Sequence, residues 1–107
     1  MIEQNGLNTA HNQFVVEGEL VALDVLRTTP AGVARVTLKI RHASMQQEAG
    51  AARQVQCDIP AIAFATVAQQ ISSLQIGQRV RAQGFLAQRS LRITQLIMHI
   101  ENITLIN

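Results

Sequence analysis

Basic side chains with an alternating spacing are the residues of this sequence best suited to do chemistry. Between Val33 and His42, the basic residues Arg35, Lys39 and Arg41 alternate with apolar ones, so that they fall on one side of an extended segment. Arginine pairs bidentately with phosphate and stacks on flat rings, whereas lysine acts mainly as a point charge. All but one of the nine basic residues of the chain are arginine. We therefore expect a surface that binds a polyanion, nucleic acid above all.

The charge is divided unevenly along the 107 residues. Residues 1–24 carry four acidic residues and no basic one, whereas the remainder has all nine basic residues and only three acidic ones. No acidic residue lies between Asp58 and Glu101. The net charge of +2 therefore hides a part of the surface that should be strongly positive. A merely solubilising role for scattered arginines is the alternative interpretation.

Constellations typical of enzymes and of metal sites are missing from the sequence. The three histidines lie far apart and have no Cys or Asp at a zinc-ligand spacing, so we predict no metal site. No glycine-rich phosphate loop is present, and no serine has a motif that would mark a nucleophile with its base. Glu17 and Glu19 lie two apart on one strand face; acid–base chemistry or cation binding is the alternative, but a solvated polar face is the better interpretation. We therefore predict a binding protein without a cofactor, and not an enzyme.

Period-two alternation predicts that the basic residues lie on β-strands. A first strand is predicted from Phe14 to Leu26 and a second from Val33 to His42, joined by a turn that contains Pro30 and Gly32. Residues 43–52 have little strand character and are predicted to be a flexible connection. A third strand is predicted over 53–59, with its end at Pro60.

The remaining elements are a helix and two strands. Apolar residues spaced three or four apart, Phe64 among them, predict a short helix over 61–74. A fourth strand is predicted over 79–88 and a fifth over 91–106, where the alternation is less clean. This order is that of an all-β, five-stranded OB-fold β-barrel with one short helix, in residues 14–107, after a flexible arm over 1–13. A small β-grasp fold is the alternative.

A few single residues have expected places in this fold. The one cysteine, Cys57, is predicted to be a small buried apolar residue, because it has no second thiol for a disulfide or a zinc site. Phe14 and Phe64 fit core positions, whereas Phe85 either stacks on a base or packs in the core or a dimer interface. No signal peptide or membrane-spanning run is apparent, so we expect a soluble cytoplasmic protein without a membrane partner.

Several short motifs resemble the family of primosomal replication protein N, known as PriB. They are Glu48-Ala49-Gly50, Arg53-Gln54, Cys57, Pro60, Gly77, and Val80 with Gly84-Phe85-Leu86. The resemblance spans most of the chain after residue 13. It implies a dimeric OB-fold relative of bacterial single-stranded DNA-binding protein, which holds single-stranded DNA and assists the restart helicase PriA in the replication-restart primosome.

The resemblance also bears on individual positions. It places Arg27 where relatives have a DNA-contacting basic residue, and Arg53 beside the binding face. Gln56 stands where a stacking tryptophan is expected and Ala51 where another aromatic is expected, so base stacking should be reduced and affinity should depend on arginine and phosphate.

The candidate binding face combines these positions with the polar sides of the predicted strands and their connections. Its predicted residues are Arg27, Arg35, Thr37, Lys39, Arg41, Arg53, Gln54, Gln56, Arg81, Gln83, Arg89 and Arg92. Few of these side chains read base edges, so we expect little sequence discrimination. The alternative function is a protein-interaction adaptor with weak or no DNA binding, which the scarcity of aromatics favours. A small hydrolase or nuclease of OB-like shape has no residues to support it.

Overall fold

Five strands close into a barrel in the computed structural model, which describes residues 10–106. The elements are β1 (Phe14–Leu23), β2 (Arg27–Thr28), β3 (Ala34–Glu48), β4 (Ala51–Phe64), α1 (Ala65–Ser72), β5 (Arg79–Gln88) and β6 (Leu96–Ile106). The sheet runs β1-β5-β6-β4-β3, and β1 pairs again with β3, which closes the barrel. The two-residue β2 adds to the first residues of β3. The predicted OB-fold barrel with one short helix is confirmed.

The core follows from alternation along the strands. Val36, Leu38 and Ile40 of β3 are buried, whereas the basic and polar residues between them point outward. Leu20 on β1 and Ile71 on α1 are completely buried and help to close the two sides of the same cluster. Each such aliphatic side chain contributes about 1.5–3 kcal/mol through burial. The core therefore fixes which side of β3 faces solvent.

Two glycines stand where strand backbones come too close for a side chain. β1 pairs with β5 up to Glu19 and with β3 from Glu19 onward. A Cβ at Gly18, just before this change of partner, would overlap the backbone oxygen of Arg41. A Cβ at Gly84 on β5 would overlap the backbone oxygen of His99 on β6. These two positions therefore require glycine for barrel closure.

A β-bulge in β6 explains why its alternation looks irregular in the sequence. Gln83 pairs with Asn102, but Gly84 pairs with Ile100, so that Glu101 is an extra residue without an opposite partner. An extra residue shifts the alternation by one, because successive side chains of a strand point to opposite faces. In this register Met98 and Ile100 pack against the core before the bulge, and Ile103 does so after it.

The prediction of a flexible connection over 43–52 is wrong. β3 and β4 form one long hairpin whose register continues from Arg35–Phe64 to Glu48–Ala51. Ala49 and Gly50 make the turn, with φ of 54° and 79°. Positive φ at both central residues is the signature of a type I′ turn, whose twist matches that of the flanking strands. Pairing across this turn thus overrides the weak strand propensity of the segment.

The prediction that Pro60 ends the third strand is also wrong. β4 continues through Pro60, which lies opposite Lys39. Among residues 10–106, β4 is paired on one side only until Ala61, where β6 begins to pair with it. A proline is tolerated in such an edge segment because its missing N–H is not needed for a second ladder.

The predicted burial of Cys57 is not found, since its side chain is exposed. The outer part of the β3–β4 hairpin extends beyond the barrel, and most of its residues are exposed on both faces. Alternation there does not separate core from surface.

The helix is shorter than predicted. It covers Ala65–Ser72, because residues 61–64 belong to β4. The apolar stripe is confirmed from Val67 onward, with Ala68 and Ile71 buried. Phe64, in contrast, is not in the core: its exposure is 39%.

Two strand boundaries also differ from the predicted ones. β1 ends at Leu23 instead of Leu26, after a bulge at Val21, and β6 begins at Leu96, since residues 89–95 form a loop. The fourth strand, 79–88, is confirmed. Most of the predicted arm over 1–13 lies outside the described residues, but Asn12 exchanges two hydrogen bonds with the backbone of Leu86, at 2.8 and 3.0 Å.

Candidate nucleic-acid interface

A cationic row lies on the outer face of β3, where Arg35, Thr37 and Lys39 point away from the core. Arg27 of β2 is directly opposite Arg35 and extends the row by one residue. Like charges at directly opposed positions destabilise a sheet unless a counter-charge lies nearby. The counter-charge here is Asp24, whose carboxylate is 3.9 Å from the Arg27 guanidinium. The arrangement therefore favours the binding of an anion on the outer side of the two arginines.

A shallow groove of about 360 Å³ lies beside this row. Its charged and polar lining residues are Asp24, Thr37, Lys39 and Arg89, and its apolar ones include Leu38 and Ile97. The backbone N–H of Val25 donates to Asp24 Oδ1 at 2.8 Å and lowers the pKa of this carboxyl. The groove therefore offers apolar side chains and charged groups of both signs next to the cationic row.

Arg41, the last residue of the predicted cationic side of β3, is engaged by an acid. Its Nε and Nη2 atoms donate to the two oxygens of Asp58 on β4, at 2.9 and 3.0 Å. This hydrogen bond lowers the pKa of the Asp58 carboxyl and raises the pKa of the arginine. Arg41 is therefore largely neutralised, and Asp58 is a residue that sequence reasoning missed. No local pattern in the sequence indicates this ion pair, because its two residues lie on different strands.

The hairpin divides the other predicted residues between its two faces. Gln54 and Gln56 are on the same side as Arg41, because they oppose Met45 and Ala43. Arg53 is on the other side, where its Nη1 donates to Glu48 Oε1 at 3.0 Å. The two glutamines thus continue the β3 row along the hairpin, whereas Arg53 lies on the opposite face.

Arg81 and Gln83 of β5 lie on a separate part of the surface. They line a small depression with Asn102 and Thr104 of β6. β1 stands between them and β3, and it places Glu17 directly opposite Arg81. The structure therefore brings Arg27, Arg35, Thr37 and Lys39 together but separates them from the β5 residues by a strand with acidic side chains.

The β5–β6 loop contains the last two predicted arginines. Arg89 is at the groove, where its Nε donates to Gln95 Oε1 at 3.0 Å across the base of the loop. Arg92 is exposed farther along the loop, next to Leu91, which is 99% exposed. The loop thus presents one arginine held near the Lys39 row and one at its exposed end.

A hydrogen-bonded chain ties the hairpin to β1. His42 Nδ1 is 2.7 Å from the backbone oxygen of Glu17, which can only accept, so Nδ1 carries a proton. In the neutral ring Nε2 then accepts from the Ser44 hydroxyl, at 2.7 Å. Gln46 donates to the same hydroxyl at 3.0 Å. Within residues 10–106, no group of three His, Cys, Asp or Glu side chains is arranged to hold a metal ion.

Comparison with known families agrees with this architecture. The model of a family described as another single-strand binding protein family matches residues 12–102. The replication restart protein PriB of Nitrosomonas europaea is 35% identical over 89% of this chain and 88% of its own length. PriB of Photorhabdus laumondii is 32% identical over 90% of this chain and 94% of its own length.

Solved structures show the same similarity. PriB from Ralstonia solanacearum, at 31% identity, superposes with a TM-score of 0.81 and covers 90% of this chain and 98% of the solved one. The single-stranded DNA-binding protein from Thermus aquaticus shares the fold, with a TM-score of 0.74 at 22% identity over 91% of this chain and 50% of that one. In the described part of the chain, no helix has the length and apolar character needed to span a membrane. The barrel, its cationic β3 row and these similarities together show that the chain belongs to the PriB family of replication restart proteins.

Proposed function

We propose that this protein is a single-stranded DNA-binding accessory protein of the replication-restart primosome. The observation that carries the proposal is the pair of opposed guanidiniums, Arg27 and Arg35, in line with Lys39 at the edge of an apolar groove. A phosphate chain relieves the repulsion between the two arginines, and it releases counterions as it binds. The names of the family members support the role in replication restart.

The chemistry of the row predicts binding without strong sequence preference. Arg27, Arg35 and Lys39 contact phosphates, and Arg89, Arg92, Gln54 and Gln56 extend the path on either side. Arg53, Arg81 and Gln83 have smaller parts in this proposal, because they lie on other faces of the protein. Two unstructured oligonucleotides of equal length and mixed sequence should bind within tenfold of each other.

The protein acts as a homodimer in this proposal. Before Glu19, β1 pairs with β5 on one side, and no strand among residues 10–106 pairs with its other edge. Val15 on this segment is 47% exposed. An unpaired edge can pair with the same strand of a second copy around a two-fold axis. Light scattering at micromolar concentration should give the dimer mass, and a monomer mass would contradict this arrangement.

As a member of the primosome, the protein assists the restart helicase PriA by holding single-stranded DNA for it, and does so in the cytoplasm, where the DNA is. It binds and does not catalyse. The support for this is the kind of relatives it has, which are named as replication restart and single-stranded DNA-binding proteins.

One observation favours a second function, that of a protein-interaction adaptor. Leu91, Ile93 and Leu96 in and beside the β5–β6 loop have exposures of 99, 53 and 54%. Apolar side chains clustered at such a tip are typical of contacts with a protein partner. An adaptor surface of this kind responds little to salt.

Salt titration distinguishes the two functions. A labelled single-stranded oligonucleotide should bind the wild-type protein with an affinity that falls steeply between low and physiological salt. Replacing Arg35 and Lys39 together by alanine should weaken binding and lower the salt slope by up to about 1.4, since each phosphate contact to single strands contributes about 0.7. Leu91→Ala is the matched control and should leave the slope unchanged. A folded double variant with full affinity at low salt would favour the adaptor function.

A further inference from the structure

Three aromatic rings stack side by side on the outside of the barrel. The rings of Phe85 on β5 and His99 on β6 have centroids 4.9 Å apart and planes within 10° of each other. Phe64 on β4 continues the series, with its ring centroid 6.1 Å from that of His99 and a 25° angle between the planes. Each ring stands on its own strand, and the 4.9 Å spacing of Phe85 and His99 is close to the distance between neighbouring strands.

The stack is not part of the core. The core cluster and the side chains packed against it include none of the three residues. Phe64 is 39% exposed, and Phe85 and His99 are half-buried. Phenylalanine rings usually bury most of their area, so an exposed ring at the end of an ordered stack has a surface left to cover.

The free end of the stack faces the cationic row. In the order of the sheet, β3 follows β4 on the side away from β6, and Arg35 of β3 is directly opposite Phe64. Phe64 has His99 on one side and Arg35 on the other. Arg35 is not in any of the three ion pairs found among residues 10–106, although Asp24 lies close enough to feel its charge.

We infer that Phe64 is a stacking platform for one base of a bound single strand, which lies between its ring and the Arg35 guanidinium. Guanidinium planes and phenyl rings both stack on bases, while Arg27 and the N–H edge of Arg35 bind the adjoining phosphate. His99 and Phe85 are positioning residues that hold the Phe64 ring from behind. The inference rests on the proposed function and adds an aromatic site to it, at a position where the sequence predicted core.

Substitution of the platform should separate stacking from charge. Phe64→Leu should weaken binding of a dT20 oligonucleotide roughly 5- to 150-fold, the range for losing one stacked base, at every salt concentration. The salt slope should stay as in the wild type, because no phosphate contact is lost. Phe85→Leu should give a smaller loss in the same sense. Circular dichroism melting checks that both variants fold.

Phe64→Trp provides a direct readout. The chain has no Trp and no Tyr, so the introduced indole is the only strong fluorophore. Its emission should be quenched on addition of dT20, and binding should be as tight as in the wild type or tighter. Ile76→Trp, at an exposed position in the connection between α1 and β5, is the matched control and should show little quenching.

The outcomes are distinguishable from those that test the proposed function. Quenching in Phe64→Trp but not in Ile76→Trp, together with the loss in Phe64→Leu, supports the platform. Tight binding of dT20 by wild type and folded Phe64→Leu alike, or equal quenching of both tryptophans, would overturn it and leave the proposed function intact. Failure of the wild type to bind dT20 at low salt would overturn both.

Discussion

Replacing Asp58 by asparagine should strengthen DNA binding, although no DNA contact is added. The Asp58 carboxylate holds Arg41 through two hydrogen bonds of 2.9 and 3.0 Å, and both side chains are open to solvent. A phosphate that approaches Arg41 must therefore displace the carboxylate. Asparagine keeps the shape of the side chain but removes its charge, which leaves the guanidinium available to DNA.

The expected size of the effect follows from counterion release. One additional phosphate contact steepens the dependence of log affinity on log salt by about 0.7 for single strands. Between 50 and 200 mM salt, this additional slope corresponds to a factor of about 2.6 in affinity. The Asp58→Asn variant should thus gain most at 50 mM salt and lose this advantage as salt rises.

Fluorescence anisotropy of labelled dT20 over this salt range measures the slope. Glu101→Gln is the matched control, since it removes one negative charge that belongs to none of the ion pairs found in residues 10–106. If the two variants gain equally, net charge explains the effect and Arg41 has no special part. An unchanged slope in Asp58→Asn would refute the reasoning about competition between carboxylate and phosphate.

Three further predictions concern the barrel itself. Gly84→Ala should lower the free energy of unfolding by about 1–3 kcal/mol or more, because the added methyl group overlaps the His99 backbone; an unchanged urea midpoint would contradict this. Ile40→Ala should cost about 2–5 kcal/mol in the same urea titration, whereas Ile93→Ala, at a 53% exposed loop position, should stay within about 0.5 kcal/mol, and similar losses would count against the core assignment. The pKa of Asp58 is lowered by its bond to Arg41, so its contribution to stability should be full above the ordinary aspartate value of about 3.9 and vanish as pH falls through the lower folded value. The difference in thermal midpoint between wild type and Asp58→Asn should therefore shrink below about pH 4, and a difference that grew there would have the wrong sign.

The sequence predicted the parts of the fold in which one face is buried. In β3 the alternation around Val36, Leu38 and Ile40 is regular because the strand has core on one side and solvent on the other. The same reasoning failed for the hairpin, where neither face is covered and burial does not impose a period. It also failed at Pro60, since a local rule for proline cannot reveal that no second strand within the described part of the chain pairs with β4 there.

The candidate site was predictable only in its charge. Arg35 and Lys39 were identified because their spacing along one strand places them together. The neutralisation of Arg41 by Asp58, and the acidic residue that separates Arg81 from the β3 row, depend on strand pairing between distant segments. Phe64 was assigned to the helical stripe because its spacing fits that stripe, whereas the chain at this residue is still extended.

The extra residue in β6 has a consequence for the aromatic stack. With Glu101 in place, even-numbered residues of β6 face the core before the bulge and odd-numbered ones face it after the bulge. His99, which lies before the bulge, therefore points outward. Deleting Glu101 would reverse the phase of residues 96–100. The imidazole would then turn toward the barrel interior and the Met98 thioether toward solvent. One extra residue in β6 thus decides whether the outer surface at this strand is aromatic or aliphatic.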